Sequence, residues 1–246
     1  MLFFWLYLKA MKKLVLLFFF FGLFNHSQIT DISDSDWYRS GNFLLKELAK
    51  GKNSDVKGSP YLNNKYENGK IIFSNGNTYS AAIRLNIGNQ KFEIQNKNTK
   101  EIVELNLDET AKVLLSGRTY STHSLNINGS RIIALLDECN IDGDFKLYYY
   151  AKKNIEVPKK MNTPAPASGF EKSELAEWKD FSLYYISYNG IYYQLPTSHK
   201  KMSSMKIFSD IDYKNYRKKN KLNLKDRESL IAFVNYLNKN QQGWKI

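Results

Sequence analysis

The chain has 246 residues, 43% of them hydrophobic and 24% charged, with a formal net charge of +12. That balance excludes a disordered or collagen-like polymer and leaves room for one large globular unit. Its single cysteine excludes an intramolecular disulfide, and its 15% aromatic share, carried mostly by 17 Tyr and 15 Phe, points to a strand-rich body.

Met11-Lys12-Lys13 followed by the apolar run from Leu14 to Phe24 reads as the charged and apolar parts of an export signal. The stretch from Met1 to Ala10 precedes the charges that normally open such a signal, so Met11 is the expected start. Ser27 is the expected last residue of a signal peptide spanning 1–27. A membrane span needs about 20 uninterrupted apolar residues. Here Lys9, Lys12 and Lys13 break the stretch, and each would cost about 2.5–3.5 kcal/mol at a helix centre. A cleavable signal is therefore expected over a retained anchor, with no stable transmembrane span left after cleavage. The mature chain is expected to be exported, periplasmic or extracellular. Removing Lys9, Lys12 and Lys13 lowers the charge from +12 to +9. Outside the cytoplasm that excess disfavours nucleic acid as a partner. Among partners it favours envelope glycan, anionic lipid or another envelope protein, while lysines that only keep a solvated surface soluble are the default reading.

Residues 28–68 form a lead-in, with Asp31, Asp34 and Asp36 ahead of Trp37. Phe43, Leu44, Leu45 and Leu48 suggest one face of a short helix ending near Gly51, and Gly58-Ser59-Pro60 breaks any regular element. Residues 69–157 read as an antiparallel β meander. Ile71 to Ser74 meets Asn75-Gly76, a pair suited to a tight hairpin turn with both central residues at positive φ. Tyr79, Ala81, Ile83, Leu85 and Ile87 then alternate with mostly polar neighbours, the period of a strand with one buried face. Phe92 with Ile94, Val103 to Leu107, Tyr120, Ile132 to Leu136 and Phe145 to Tyr150 continue the series. Turn signals about every ten residues argue for a sandwich or curled barrel. Residues 158–170 are a Pro/Ala linker. Residues 171–246 add a hairpin around Tyr188-Asn189-Gly190 and then a helical tail, expected to pack on the same unit. Leu230, Phe233, Val234 and Leu237 give the clearest helical spacing in the chain. Asn223 is its expected N-cap, with Asp226 and Glu228 in the first turn. The expected fold is mainly β, an antiparallel meander with a short α-helical C-terminal tail.

Three segments carry a family resemblance: Gly58-Ser59-Pro60-Tyr61-Leu62-Asn63, the run from Tyr216 to Leu222 (YRKKNKL), and Leu230 to Asn238 (LIAFVNYLN). With the β meander between them, they resemble an uncharacterised group of secreted proteins of Bacteroidota. The resemblance spans nearly the whole mature chain. It implies export and the β-then-helix order, and it carries no residue roles.

Chemical signatures are sparse. Glu138, Asn140, Asp142 and Gly143 match the first half of a calcium loop, but the twelfth position is Tyr149 where a carboxylate should close the cage. A plain turn is the expected reading, with no metal and no cofactor. His123 and His199 lack zinc spacing, and no G-x-S-x-G elbow or phosphate loop occurs. Cys139 reads as a small buried hydrophobe. Two surfaces suggest binding. Tyr148 and Tyr150 share a strand face opposite Leu147, and Tyr184 and Tyr192 lie on the later hairpin. Such rings stack on sugars or bind proteins when exposed, and otherwise serve as cross-strand packing. Lys218 and Lys219 belong to a basic run between helices with Lys214, Arg217 and Lys221, which could contact anionic envelope material and by default is a solvated face. Function is expected to be non-catalytic, a binding or structural protein of the cell envelope. The alternative is an extracytoplasmic, glycosidase-like hydrolase in which Asp137, Glu138 or Asp142 converge in space, with two carboxylates roughly 5–10 Å apart.

Overall fold

The structure, a computed structural model, describes residues 29–31, 45–47, 56–105, 107, 109–127, 130–157, 175–209 and 211–240. The signal segment and the 158–170 linker lie outside the described residues, apart from 175 onward where the chain resumes.

The described residues are mainly β: eleven strands form one antiparallel sheet curled into a half-barrel, with a twelfth strand parallel beside it, followed by three helices. Two short pieces, β1 (Ile29–Asp31) and β2 (Leu45–Glu47), and the two-residue β3 (Val56–Lys57) precede the meander. The strands β4 (Glu67–Phe73), β5 (Thr78–Asn86), β6 (Lys91–Gln95) and β7 (Ile102–Leu105) follow. Next come β8 (Ala111–Leu115), β9 (Arg118–Ile127), β10 (Ser130–Asn140) and β11 (Lys146–Tyr150). After β12 (Lys153–Glu156) and β13 (Ala176–Asp180), the hairpin β14 (Leu183–Tyr188) and β15 (Ile191–Gln194) returns to the large sheet. The order is β15-β14-β11-β10-β9-β8-β4-β5-β6-β7-β2, with β1 parallel beside β5. A second sheet joins β12, β13 and β3.

Leu45, expected on a helix, instead pairs with Leu105 at the sheet edge. The unpaired edge of β7 offers backbone partners that a short isolated helix would lack. Turn chemistry also divides. Asn189 and Gly190 both have positive φ (50° and 76°), as a two-residue hairpin demands. At Asn75-Gly76 only the glycine does (φ 87°), because the Gly76 amide bonds the Phe73 carbonyl and the glycine then forms a bulge. Ser116-Gly117, with φ of 54° and 71°, makes the other tight hairpin between β8 and β9.

Alternation along these strands separates two faces. On one, Ile71, Ile83, Leu85, Phe92, Ile94, Val103, Leu105 and Val113 build the main core. The same face continues across β11 and β14, where Phe145, Leu147 and Ile186 meet the helices. These are α1 (His199–Ser203), a 3-10 turn (Lys206–Phe208), α2 (Tyr213–Asn220) and α3 (Arg227–Asn240). Leu230, Phe233, Val234 and Leu237 of α3 are fully buried there, which at about 1.5–3 kcal/mol each is the main driving force for docking the helical cap. The helix is capped by Asp226, whose carboxylate accepts the Ser229 amide at 2.7 Å, while Asn223 caps the preceding turn by accepting from Lys225. The opposite face of the sheet carries a smaller cluster of Leu125, Ala134, Leu136, Tyr148 and Tyr185.

Gly88 fixes the small sheet to the large one. A Cβ there would lie 2.8 Å from the Trp178 ring, so only glycine lets β13 approach the β5–β6 turn.

Candidate functional site

Charged groups inside the sheet are matched one by one. Asp137 on β10 is 1% exposed and lies between the two apolar clusters of its face. Arg227 of α3 grips both its oxygens, with Nη2 to Oδ1 at 3.0 Å, and Arg118 of β9 reaches Oδ2 at 3.4 Å. The fork of a guanidinium fits a carboxylate in this bidentate manner, so the clamp ties the helical cap to the strands. Burial and the neighbouring carboxylate push the Tyr120 phenol beside it up to about 12.

On the opposite face, Glu93 is 3% exposed and accepts four bonds. Its donors are Tyr61 at 3.0 Å, Tyr66 at 3.2 Å, Arg84 at 2.5 Å and Asn86 at 3.3 Å. The Arg84 guanidinium also lies 3.5 Å from the Tyr61 ring centroid and 4.4 Å from that of Tyr66, a cation–π sandwich that pins the incoming 58–66 segment to β5 and β6. Glu104, directly across from Glu93 in the register, is held by Lys91 at 2.7 Å and Asn89 at 2.9 Å. Two like charges facing each other on adjacent strands repel, and each has its own cation to offset that. Sequence reading missed both glutamates. The signal lay in the alternation itself, which puts Arg84, Glu93 and Glu104 on the face away from Ile83, Phe92 and Val103.

His123 on β9 anchors a third constellation. Tyr192 lies 2.9 Å from its Nδ1 and Ser121 Oγ 2.7 Å from its Nε2. Ser121 donates to Glu138 at 2.5 Å, and Lys112 holds that carboxylate at 2.9 and 3.0 Å. Because the serine proton points to Glu138, His123 must donate from Nε2 to Ser121 and accept from Tyr192 at Nδ1. A nucleophilic serine needs the reverse, a serine donating to the imidazole base. Burial lowers the His123 pKa, partly opposed by the Glu138 charge.

The tyrosines expected to form a binding row are divided by the sheet. Tyr148 is 4% exposed under His123 and Tyr192, with ring centroids at 4.8 and 5.5 Å. Tyr150 is half-buried on the same face, and so is Tyr192. Tyr184 lies on the other face, packed against Tyr149 at 4.8 Å and beside the helical cluster. These rings pair across strands under neighbouring side chains, and they do not make one continuous surface. Asn140 to Asp144 is a turn in which the Asn140 side chain accepts the Asp142 amide at 3.1 Å and Gly143 takes φ 86°. Among the described residues no cluster of His, Cys, Asp and Glu has metal-binding geometry. Burial pushes the Cys139 thiol up to about 12, so it is a packing residue and a poor nucleophile. A shallow depression of about 390 Å³ opens at this end of the sheet, lined by Thr119, Glu138, Cys139, Asn140, Asp142 and Asn235 among others.

The helical cap is different. Residues 199–226 contain nine cations: Lys200, Lys201, Lys206, Lys214, Arg217, Lys218, Lys219, Lys221 and Lys225. All nine are exposed, and none is ion-paired to another described residue. On α2, Tyr213 and Tyr216 are buried, while Lys214, Arg217 and Lys218 recur at i, i+3 and i+4 on a solvent-facing stripe, and the exposed Lys221 is the left-handed C-cap residue with φ 50°. Lys218 lies on this stripe with Lys219 next to it in sequence, and the exposed Lys200 and Lys201 lie on α1, where His199 Nδ1 is 2.7 Å from the Tyr213 hydroxyl.

No protein-family model, curated protein or solved structure matches the chain. No helix among the described residues is long and apolar enough to cross a membrane.

Proposed function

We propose that this is an exported, non-catalytic binding protein of the bacterial cell envelope that holds anionic envelope material through its basic helical cap. The supporting observation is the uncompensated stripe of Lys214, Arg217 and Lys218. Like charges at this spacing destabilise a helix by about 0.2–0.5 kcal/mol per pair, and α2 contains no carboxylate to offset them. A surface built only for solubility intersperses both signs. Nine exposed cations without a described partner instead favour a counter-charge brought by another molecule. In the sheet, by contrast, Asp137, Glu93 and Glu138 are committed to fixed cations, which suits structural work better than proton transfer.

Cell fractionation combined with cross-linking in intact cells tests this. The protein is expected outside the cytoplasm, cross-linked through cap residues to anionic envelope components. Recovery in the cytoplasm, or cross-links only to itself, would remove the proposal.

A second reading is an extracytoplasmic hydrolase, and the observation in its favour is the depression that brings Glu138 and Asp142 to one rim. Release of reducing ends from isolated envelope glycan, abolished by Glu138→Gln, would favour that reading over the first.

A further inference from the structure

Building on the envelope-binding reading, we infer that the partner of the cap is an anionic phospholipid surface. Three features of the cap lead there. The first is residue choice: eight of its nine cations are lysines and only Arg217 is an arginine. A guanidinium forks onto a phosphate or carboxylate held in fixed geometry, whereas a lysine ammonium is a hydrated point charge on a flexible stem. Lysines spread over three elements suit a plane of laterally mobile head groups.

The second feature is the placement of rings. Phe208, Tyr213, Tyr216 and Phe233 are buried and pack on one another, with centroids 5.1 to 5.8 Å apart around Phe233. Tyr236 is half-buried and stacks on Tyr216 at 4.4 Å. The aromatic surface that would stack on a sugar ring is therefore turned toward the sheet, away from the lysines. A glycan would find charge here and little else.

The third feature is the segment between α1 and α2. Met205, Ile207 and Ile211 are half-buried there, packed against the core cluster, and Lys206 among them is exposed. Their apolar area is thus turned inward with the rings, which leaves the lysine ammonium groups as what the cap offers a partner. Charge complementarity, with the rings and apolar side chains of the cap packed inward, points to a plane of anionic head groups.

Cosedimentation of the full chain with vesicles tests the inference, comparing phosphatidylglycerol–phosphatidylcholine mixtures with phosphatidylcholine alone. A cation near an anionic bilayer contributes about fivefold to partitioning, so Lys214→Gln/Lys218→Gln should lower binding to the mixed vesicles about twenty-fivefold. Binding to pure phosphatidylcholine, which reports any charge-independent contribution of the apolar amino-terminal residues, should not change. Lys65→Gln/Lys70→Gln, just before β4 and on it, removes the same charge from exposed positions, and should leave binding to the mixed vesicles within about twofold of wild type. Unchanged melting temperatures show that the variants fold. Equal vesicle binding by wild type and the cap variant would overturn the inference. Lysine-dependent binding to an isolated anionic envelope polymer without vesicle binding would also overturn it, while leaving envelope binding standing. Binding to neither removes both.

Discussion

Glu93 in the sheet is met by four donors, while Lys218 on the cap is met by no carboxylate among the described residues. The two regions are built from the same residue types and are separated by a single clamp, Asp137 with Arg227. Their difference follows from dielectric. A carboxylate as buried as Glu93, Glu104 or Asp137 must be paired, since an uncompensated charge there costs several kcal/mol. An exposed lysine is hydrated and tolerates having no partner, so its neighbours are chosen for other reasons. Paired charge in this molecule therefore reports on folding. Unpaired charge reports on what the surface meets.

The largest effect that can break this comparison comes at the clamp. Asp137→Ala leaves Arg227 and Arg118 facing a low-dielectric gap, and should destabilise the protein by about 3–5 kcal/mol in chemical denaturation. A loss under about 1 kcal/mol would mean the cap is held by its apolar face alone. Glu93→Gln removes the charge but keeps the shape, and its expected cost is smaller, about 1–3 kcal/mol, read in the same way. Retention of full stability there would contradict the pairing argument for the sheet.

Acid should act next. His123 has a folded pKa below its usual value because of burial, so below about pH 6.5 the unfolded chain takes up its proton more readily than the folded one. Stability should fall as pH drops from about 6.5 toward the folded pKa, and His123→Asn should flatten that part of the profile. An unchanged slope in the variant would place the acid sensitivity elsewhere. The smallest effect belongs to the cap: Lys218→Gln and Lys219→Gln should each shift unfolding by no more than about 0.5 kcal/mol, because neither side chain is ion-paired to another described residue. A larger loss would mean that these lysines are structural after all.

Much of this arrangement was legible in the sequence. The alternation of Tyr79 to Ile87 and the helical spacing of Leu230 to Leu237 depend on local periods, and both elements form as those periods require. What local pattern does not carry is which face a neighbour covers. Tyr148 lies opposite Leu147, as alternation demands, but whether that face meets solvent depends on Tyr192, 44 positions later in sequence, folding over it. The same limit hid Arg84 with Glu93 and Asp137 with Arg227, whose charges meet only through strand register and helix docking. Leu45 was misread because an edge vacancy on β7 is a property of the sheet and leaves no mark on the 43–48 segment. The basic run, expected between helices, lies mostly on α2, and its exposure follows from Tyr213 and Tyr216 taking the buried side.

Retention on isolated cell envelopes as a function of ionic strength tests envelope binding by the cap most directly. Wild-type protein should be retained at about 0.05 M salt and released by about 0.5 M, where screening shortens the reach of each charge, and Lys214→Gln/Lys218→Gln should fail to be retained even at the lower salt. Retention that ignores salt, or that is the same in wild type and variant, would contradict a partner held by the cap lysines.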